Sequence, residues 1–392
     1  MEKIRCAFFF HDTDFFSGGS RSLLDIIDTY VEQNSVAVVA VFPSDKGSAI
    51  DYLRSKNVDI VCSHYYQIRY ELSESKSDYI KRLPRRAMKL LGSRIWVLLK
   101  TVPELKERNI NIVYSNTSFI LAGYWSAKSL HVPLIAHFRE FGEEDHKIGV
   151  WFGRNAFYRI VNQYDRIICI SNALKEKYQK RIGGDKIRVI YDDVSKEYVN
   201  WAEEEIKPDV NNNFNILLAG NLTPGKGQKT VLTCLANYVQ HDKRITVYIA
   251  GNPSDSVYVN QIKKLIEEKH IQEQVEFLGL VKDMNTLRKK MHVGIVLSDM
   301  EAFGRVTIEG MLSGMIMIAA RTGGSVELIK DGVNGFLVEN DGSKLESIVS
   351  DIQKNYQSFK LMQKEAFYFA KGFTESRCSK FLLENIEELV DK

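Results

Sequence analysis

The chain has few cysteines, no apolar run long enough to span a bilayer, almost no low-complexity sequence and no dinucleotide fingerprint. Each absence removes a class of protein. Cys6, Cys62, Cys169, Cys234 and Cys378 are odd in number, widely scattered and without metal-type spacing. That argues against a disulfide framework and a zinc site, and leaves them as core thiols in a reducing compartment. The longest apolar runs fall far short of the roughly 20 residues a spanning helix needs. The first strand starts almost at once, with no charged-then-apolar leader before it, so a cytoplasmic location is expected. No G-x-G-x-x-G follows that strand, which argues against a dinucleotide site there. No aspartate cluster suggests a metal, and neither metal nor cofactor is expected. The one short polar run, Asn211-Asn212-Asn213, suits a linker.

What is present is ordinary globular composition in a chain too long for one core. With 392 residues, two domains are the default. Net charge is +3, yet residues 1 to 200 hold 30 Lys and Arg against 24 acids and the remainder 23 against 26, so the first half is the basic one. Short apolar runs alternate with helical or loop segments. They are Arg5 to Phe10, Val36 to Phe42, Asp59 to Cys62, Asn111 to Tyr114, Pro133 to His137, Arg166 to Ile170 and Lys186 to Ile190. After a polar connector, Ala202 to Asn212, a second set begins at FNILLAG (214 to 220) and continues to Gly335 to Val338. Such alternation predicts parallel sheets covered on both faces, with ligands at the carboxyl ends of the strands.

The most informative stretch is Val293 to Val338, which contains EAFGRVTIE at 301 to 309. A strand feeds a loop and then a helix beginning near Phe303 or Gly304. A helix N-terminus offers unpaired N–H groups and the positive dipole pole, and Gly304 lets a ligand approach the backbone. Glu301 belongs in the loop at the mouth and Glu309 a turn into the helix, too far apart to share a proton. A diphosphate held by helix amides would leave one carboxylate to accept hydroxyls at each end, which is the layout of a sugar nucleotide. The bland alternative makes both acids solvated dipole stabilisers.

The Glu-x7-Glu pattern, with Gly314, Gly323-Gly324, Glu327 and DGVNGFLV after it, closely resembles the donor site of family 4 retaining glycosyltransferases. The resemblance covers nearly the whole chain and is sharper after residue 213. It implies an α/β GT-B fold, two Rossmann-like doubly wound parallel-sheet domains facing each other across a cleft. The first domain is expected over 1–200, the nucleotide-sugar domain over 213–371, and a helix over 372–392 that packs back on the first. Gly18-Gly19 match the family's loop beside the reacting sugar. His137, in IAHFREFGEED, matches a histidine that contacts the transferred sugar, while by position alone it is equally an ordinary strand-end residue. Lys226, in GKGQ, is placed to meet the diphosphate. Where the family has Gly-Arg this chain has Gly220-Asn221, and Asn221 can hydrogen-bond a phosphate without neutralising it. Arg305 is the cation expected to substitute. Phe303 shapes the pocket. Where the family carries Asn-Gly before the hinge, this chain carries Asp192-Asp193.

The resemblance therefore implies transfer of a sugar from a nucleoside diphosphate donor to a hydroxyl of a glycan or lipid-linked acceptor, as in cell-surface polysaccharide synthesis. Two other readings compete with it. One is a partner subunit that binds the sugar nucleotide without catalysis, consistent with Asn221. The other is an epimerase of the same shape. Residues 79–100, YIKRLPRRAMKLLGSRIWVLLK, hold seven cations and no acid beside Leu90, Leu91, Ile95, Trp96, Leu98 and Leu99. Such a segment suits an anionic membrane surface on the inner face of the cell membrane, or is the solvated face of a packed helix. Nucleic acid fits poorly, since no binding motif accompanies the patch and the chain is nearly neutral.

Overall fold

A computed structural model describes residues 3–14, 17–201, 207 and 209–391. The chain divides into two units, Met1–Asp193 with Ser376–Lys392, and Val194–Glu375. The strands of the first are β1 (Arg5–Phe9), β2 (Ala37–Phe42), β3 (Asp59–Cys62), β4 (Arg69–Glu71), β5 (Ile112–Ser115), β6 (Leu134–Phe138), β7 (Ile148–Val150), β8 (Arg166–Cys169) and β9 (Ile187–Val189). Seven of them form a parallel sheet in the order β3-β2-β1-β5-β6-β8-β9, while β4 and β7 pair as a separate antiparallel ribbon. The second unit contains β10 (Phe214–Ala219), β11 (Ile245–Ala250), β12 (Val275–Gly279), β13 (Val293–Val296), β14 (Ile316–Ala320) and β15 (Phe336–Val338). Their parallel order is β12-β11-β10-β13-β14-β15.

Strands such as AVVAVF in β2 and IMIAA in β14 are apolar on nearly every residue because helices cover both sheet faces. In each sheet the chain winds outward in one direction, returns to the first strand and winds the other way. The reversal lies between β1 and β5 in one unit and between β10 and β13 in the other. Loops leaving these strands at their carboxyl ends are where such sheets bind ligands.

The last helix, Arg377–Val390, belongs to the first unit. Its Cys378, Leu382 and Ile386 join the core with Phe8, Leu23 and Ile27, and the Tyr30 hydroxyl donates to the Ser379 carbonyl over 2.8 Å. Burying a Leu or Ile side chain contributes about 1.5–3 kcal/mol. The division falls after Asp193 rather than after residue 200. Val194 N–H donates to the Phe373 carbonyl, Trp201 packs on Phe367 at 5.3 Å, and the buried Lys207 ammonium donates to the carbonyls of Arg288 and Ser313, so this segment is anchored to the second unit. The rest of the expected connector before residue 209 lies outside the described residues. Of the five thiols, Cys6, Cys169 and Cys378 are core residues, whereas Cys62 and Cys234 are half-buried.

The basic segment forms a helix, Lys76–Trp96, that continues as a π-helical turn, Val97–Thr101. Within Lys76–Trp96 only Ser93 is buried, and Ile80, Met88, Leu91 and Leu99 are each more than half exposed. Its cations divide into two groups. Arg82 and Arg86 grip Glu74, Arg86 also stacks on Tyr70 and Tyr79, and Lys89 lies over Tyr66. Arg85, Arg94 and Lys100 point outward. Among the described residues no helix is long and apolar enough to cross a membrane.

Candidate active site

In the second unit, β13 ends at Val296 and its helix is Arg305–Leu312, with Gly304 at the N-cap in the left-handed region (φ 116°) and no side chain capping it. The intervening loop is held from beneath by Gly323 and Gly324. Gly324 N–H donates to the Glu301 carbonyl over 2.6 Å, and a Cβ on Gly323 would stand 2.1 Å from that same oxygen. Only glycine lets the two backbones meet so closely. Phe303 is buried against Phe373, ring centroids 5.8 Å apart, and anchors the loop's far end.

The turn after β10 brings up the second part. Gly220-Asn221 leads into the single turn Pro224–Lys226, and Asp299 N–H donates to the Gly225 carbonyl, joining this turn to the loop after β13. As a result Lys226 Nζ lies 3.0 Å from Glu301 Oε2, which also accepts the Ser298 hydroxyl at 2.9 Å. The ammonium is 32% exposed, so an incoming anion can reach it. Asn221 is exposed, and its carbonyl accepts the Gln228 amide.

Glu309 is buried and ion-paired to Arg288, with Arg305 Nε at 3.8 Å from its other oxygen. Arg288 is itself buried beneath the Tyr198 ring. The structure thus brings Lys226, Glu301, Gly304, Arg305 and Glu309 to one end of the second sheet. Arg305 lies beside Glu309, four residues further along the same helix. Sequence reasoning did not identify Ser298 or Arg288. Ser298 stands three residues before Glu301 and was legible as a loop hydroxyl, but nothing in NTLRKK marks Arg288.

Gly18, Gly19 and His137 belong to the first unit. Ser17 caps the helix Gly18–Gln33, its hydroxyl accepting the Ser20 N–H, so the Gly-Gly pair is that helix's first turn rather than a loop ahead of it. His137, at the end of β6, is fully buried. Its Nδ1 lies 2.5 Å from the Tyr114 hydroxyl and 3.1 Å from Arg139 Nη2. Burial, and then the Arg139 charge, push the imidazole pKa well below its usual value, so the ring is neutral. A guanidinium can only donate, so Nδ1 must accept and the proton resides on Nε2. That Nε2 has no hydrogen-bond partner. Beside the same strand end lies an open pocket walled by Phe119, Phe141 and Tyr158 and edged by Arg181 and by two ion pairs, Arg154 with Glu143 and Lys177 with Glu144. Among the described residues no group of three or more His, Cys, Asp or Glu side chains converges as a metal site would require.

Residues 16–195 match the family model Glycosyltransferase Family 4, and residues 200–364 match Glycosyl transferases group 1. An uncharacterized glycosyltransferase of Methanocaldococcus jannaschii is 27% identical over 242 residues, 61% of this chain and 64% of that protein's length. The alpha-monoglucosyldiacylglycerol synthase of Streptococcus pneumoniae is 24% identical over 317 residues, 74% of this chain and 71% of the synthase. The match thus spans just under two thirds of the first relative and somewhat more of the second. Among solved structures, Anabaena HepE in complex with UDP and glucose superposes with a TM-score of 0.76 at 20% identity, covering 98% of this chain and all of that one. At that identity the likeness concerns the fold.

Proposed function

The chain belongs to glycosyltransferase family 4 and has the GT-B fold, and from that premise we propose that it moves a sugar from a nucleoside diphosphate sugar to a hydroxyl of a glycan or lipid-linked acceptor. Transfer proceeds with retention of configuration and without a metal ion. The observation that carries this reading is the 3.0 Å contact of Lys226 with Glu301 at the mouth of the Arg305–Leu312 helix. It is an ion pair whose cation suits the diphosphate of a donor and whose carboxylate suits the hydroxyls of its sugar. The diphosphate takes Lys226, and Glu301 is released to accept sugar hydroxyls.

As the glycosidic bond breaks, negative charge accumulates on the diphosphate. Lys226 and the amide of Gly304, at the positive end of its helix, stabilise that charge where it develops. Asn221 adds a hydrogen bond and Arg305 a shared charge. Glu309, oriented by Arg288, accepts the ribose hydroxyls. Phe303 forms the wall of the pocket, Gly18 and Gly19 allow close approach to the sugar, and the Nε2–H of His137 meets a sugar oxygen. The aromatic pocket of the first unit, edged by paired charges, suits a glycan acceptor.

The exposed Lys76–Trp96 helix and its continuation to Lys100 supply peripheral attachment to an anionic bilayer, with Arg85, Arg94 and Lys100 facing the headgroups and Met88, Leu91 and Leu99 entering them. A lipid-linked intermediate of cell-surface polysaccharide or glycolipid is the acceptor this arrangement fits.

The test begins with thermal stability against a panel of UDP-, GDP- and ADP-sugars, since selective donor binding raises the melting temperature. A chain stabilised by none of them would not be a transferase of this kind. With the active donor, Glu309→Ala weakens donor binding and Glu301→Ala chiefly slows transfer, and wild-type rates in both would remove these roles. Replacing Arg85, Arg94 and Lys100 with Glu releases the protein from vesicles containing phosphatidylglycerol. Unchanged sedimentation would dispose of the membrane attachment.

A further inference from the structure

The polar interior of the first unit is organised by one guanidinium. Arg139, buried behind the end of β6, points its three nitrogens in three directions. Nε donates to Asn116 Oδ1 at 2.9 Å, Nη1 is ion-paired to Asp192, and Nη2 donates to His137 Nδ1 at 3.1 Å. Because Nε must donate, Oδ1 of Asn116 is the acceptor and the amide's NH2 is turned the other way, where it donates to the Gly19 carbonyl at 2.9 Å. The Ser22 hydroxyl lies 2.9 Å from Asp192 Oδ2 and 3.0 Å from the Gly18 carbonyl, with one proton to share between them. Ser22, Asn116, Arg139 and Asp192 are all buried, so the side chains of this circuit, which link the exposed Gly18 to the half-buried Gly19, are themselves shielded from water. A Cβ on Gly19 would lie 3.3 Å from Arg139 Cδ, which places the glycine directly against this side chain.

We propose that Asp192 is a positioning residue for the transfer reaction. Through Arg139 it fixes the first turn of the Gly18–Gln33 helix and holds His137 as the tautomer that carries its proton on Nε2. This rests on the proposed function, in which Gly18, Gly19 and His137 address the donor sugar. Position 192 must be an aspartate here, not the asparagine the family resemblance leads one to expect, because the buried guanidinium needs a counter-charge to stay in place. An amide at 192 preserves shape and the Ser22 contact but leaves Arg139 without its counter-charge. The fork then turns away, the amide of Asn116 loses the donor that orients it, and Nδ1 of His137 is left to the Tyr114 hydroxyl, which can either donate or accept and so no longer fixes one tautomer.

The experiment uses the full chain. In wild-type protein labelled with 15N in its histidines, long-range 1H–15N spectra show His137 protonated on Nε2, the signal being assigned with His137→Gln. In Asp192→Asn that signal moves toward the Nδ1–H form or a mixture of the two. With whichever UDP-, GDP- or ADP-sugar the wild type consumes, turnover falls about tenfold to a hundredfold, the loss expected of a misplaced reacting group. Donor KM stays within about threefold, the donor's diphosphate being held in the other unit. Should Asp192→Asn not fold, Arg139→Lys keeps the ion pair but cannot donate in three directions, and it produces the same loss of turnover and the same tautomer change. An unchanged tautomer and turnover in these variants, with only a lower melting temperature, would reduce the circuit to a structural role and overturn the proposal. Gly19→Ala separates the two levels of inference. If it leaves turnover intact, the reading of the Gly18-Gly19 turn fails. If it abolishes turnover while Asp192→Asn and Arg139→Lys do not, the positioning role fails alone. If the wild type consumes no donor the proposed function falls, and the tautomer still decides whether Asp192 orients His137.

Discussion

Two groups of charges stand past the carboxyl ends of strands, one in each sheet, and they are built in opposite ways. Past the end of β13, Lys226 and Glu301 meet within reach of solvent, the lysine side chain 32% exposed. At the end of β6, Arg139 and Asp192 are 5% and 4% exposed and are locked to backbone carbonyls through Asn116 and Ser22. An exposed pair contributes little to stability but exchanges partners readily, whereas a buried pair is costly to break from one side. Glu309 and Arg288 show that the second unit uses the buried kind too, one turn deeper, where orientation matters more than exchange.

The contrast can be broken first at Arg139. Arg139→Ala leaves Asp192 buried and uncompensated and should cost about 3–5 kcal/mol in urea unfolding. A loss below about 1 kcal/mol would mean that the circuit is not sealed. Lys226→Ala is the counterpart. Transfer should fall about 10²–10³-fold, the scale for losing one stabilising group of a developing anion, while unfolding free energy changes by less than about 1 kcal/mol. If instead stability collapsed and rate persisted, the two regions would have exchanged roles.

Asp193 gives a smaller, pH-dependent effect. Burial raises its pKa from 3.8 to about 6, against the opposing hydrogen bonds it accepts from the N–H groups of Cys378 and Ser379. Between these two pH values the native state holds a proton that the unfolded chain has already released. This group's contribution therefore weakens as pH rises from about 4 to 6 and is constant above. Asp193→Asn should remove that decline and be more stable than wild type by about 1–3 kcal/mol at pH 7.5, as read from urea melts at both ends of the range. Equal differences at pH 4.5 and 7.5 would contradict it. The smallest effect is Ser298→Ala, which deletes a hydrogen bond worth about 0.5–1.5 kcal/mol and should slow transfer severalfold with the melting temperature nearly unchanged.

Much of this fold was legible in one dimension. A strand buried on both faces must be apolar throughout, so FNILLA and AVVAVF announced themselves, and the parallel alternation followed. Glu301, Gly304 and Glu309 were legible because a strand, a loop and a helix start in succession are local facts. The ribbon of β4 and β7 was not, since strands of three residues carry no periodicity. The segment at residues 79–100 is visibly basic and apolar in the sequence. Its division into paired and outward cations was hidden, because Glu74, Tyr66, Tyr70 and Tyr79 reach it through the fold.

Sequence by itself determined the longer buried strands, and that acids flank a helix N-terminus opened by glycine, because each depends on neighbours within a few residues. Tertiary structure decided the partners. It joined Lys226 to Glu301, gave Glu309 to Arg288, and made Asp192 the counter-charge of Arg139, since a Coulombic or hydrogen-bonded pairing depends on distance in space and not on separation along the chain.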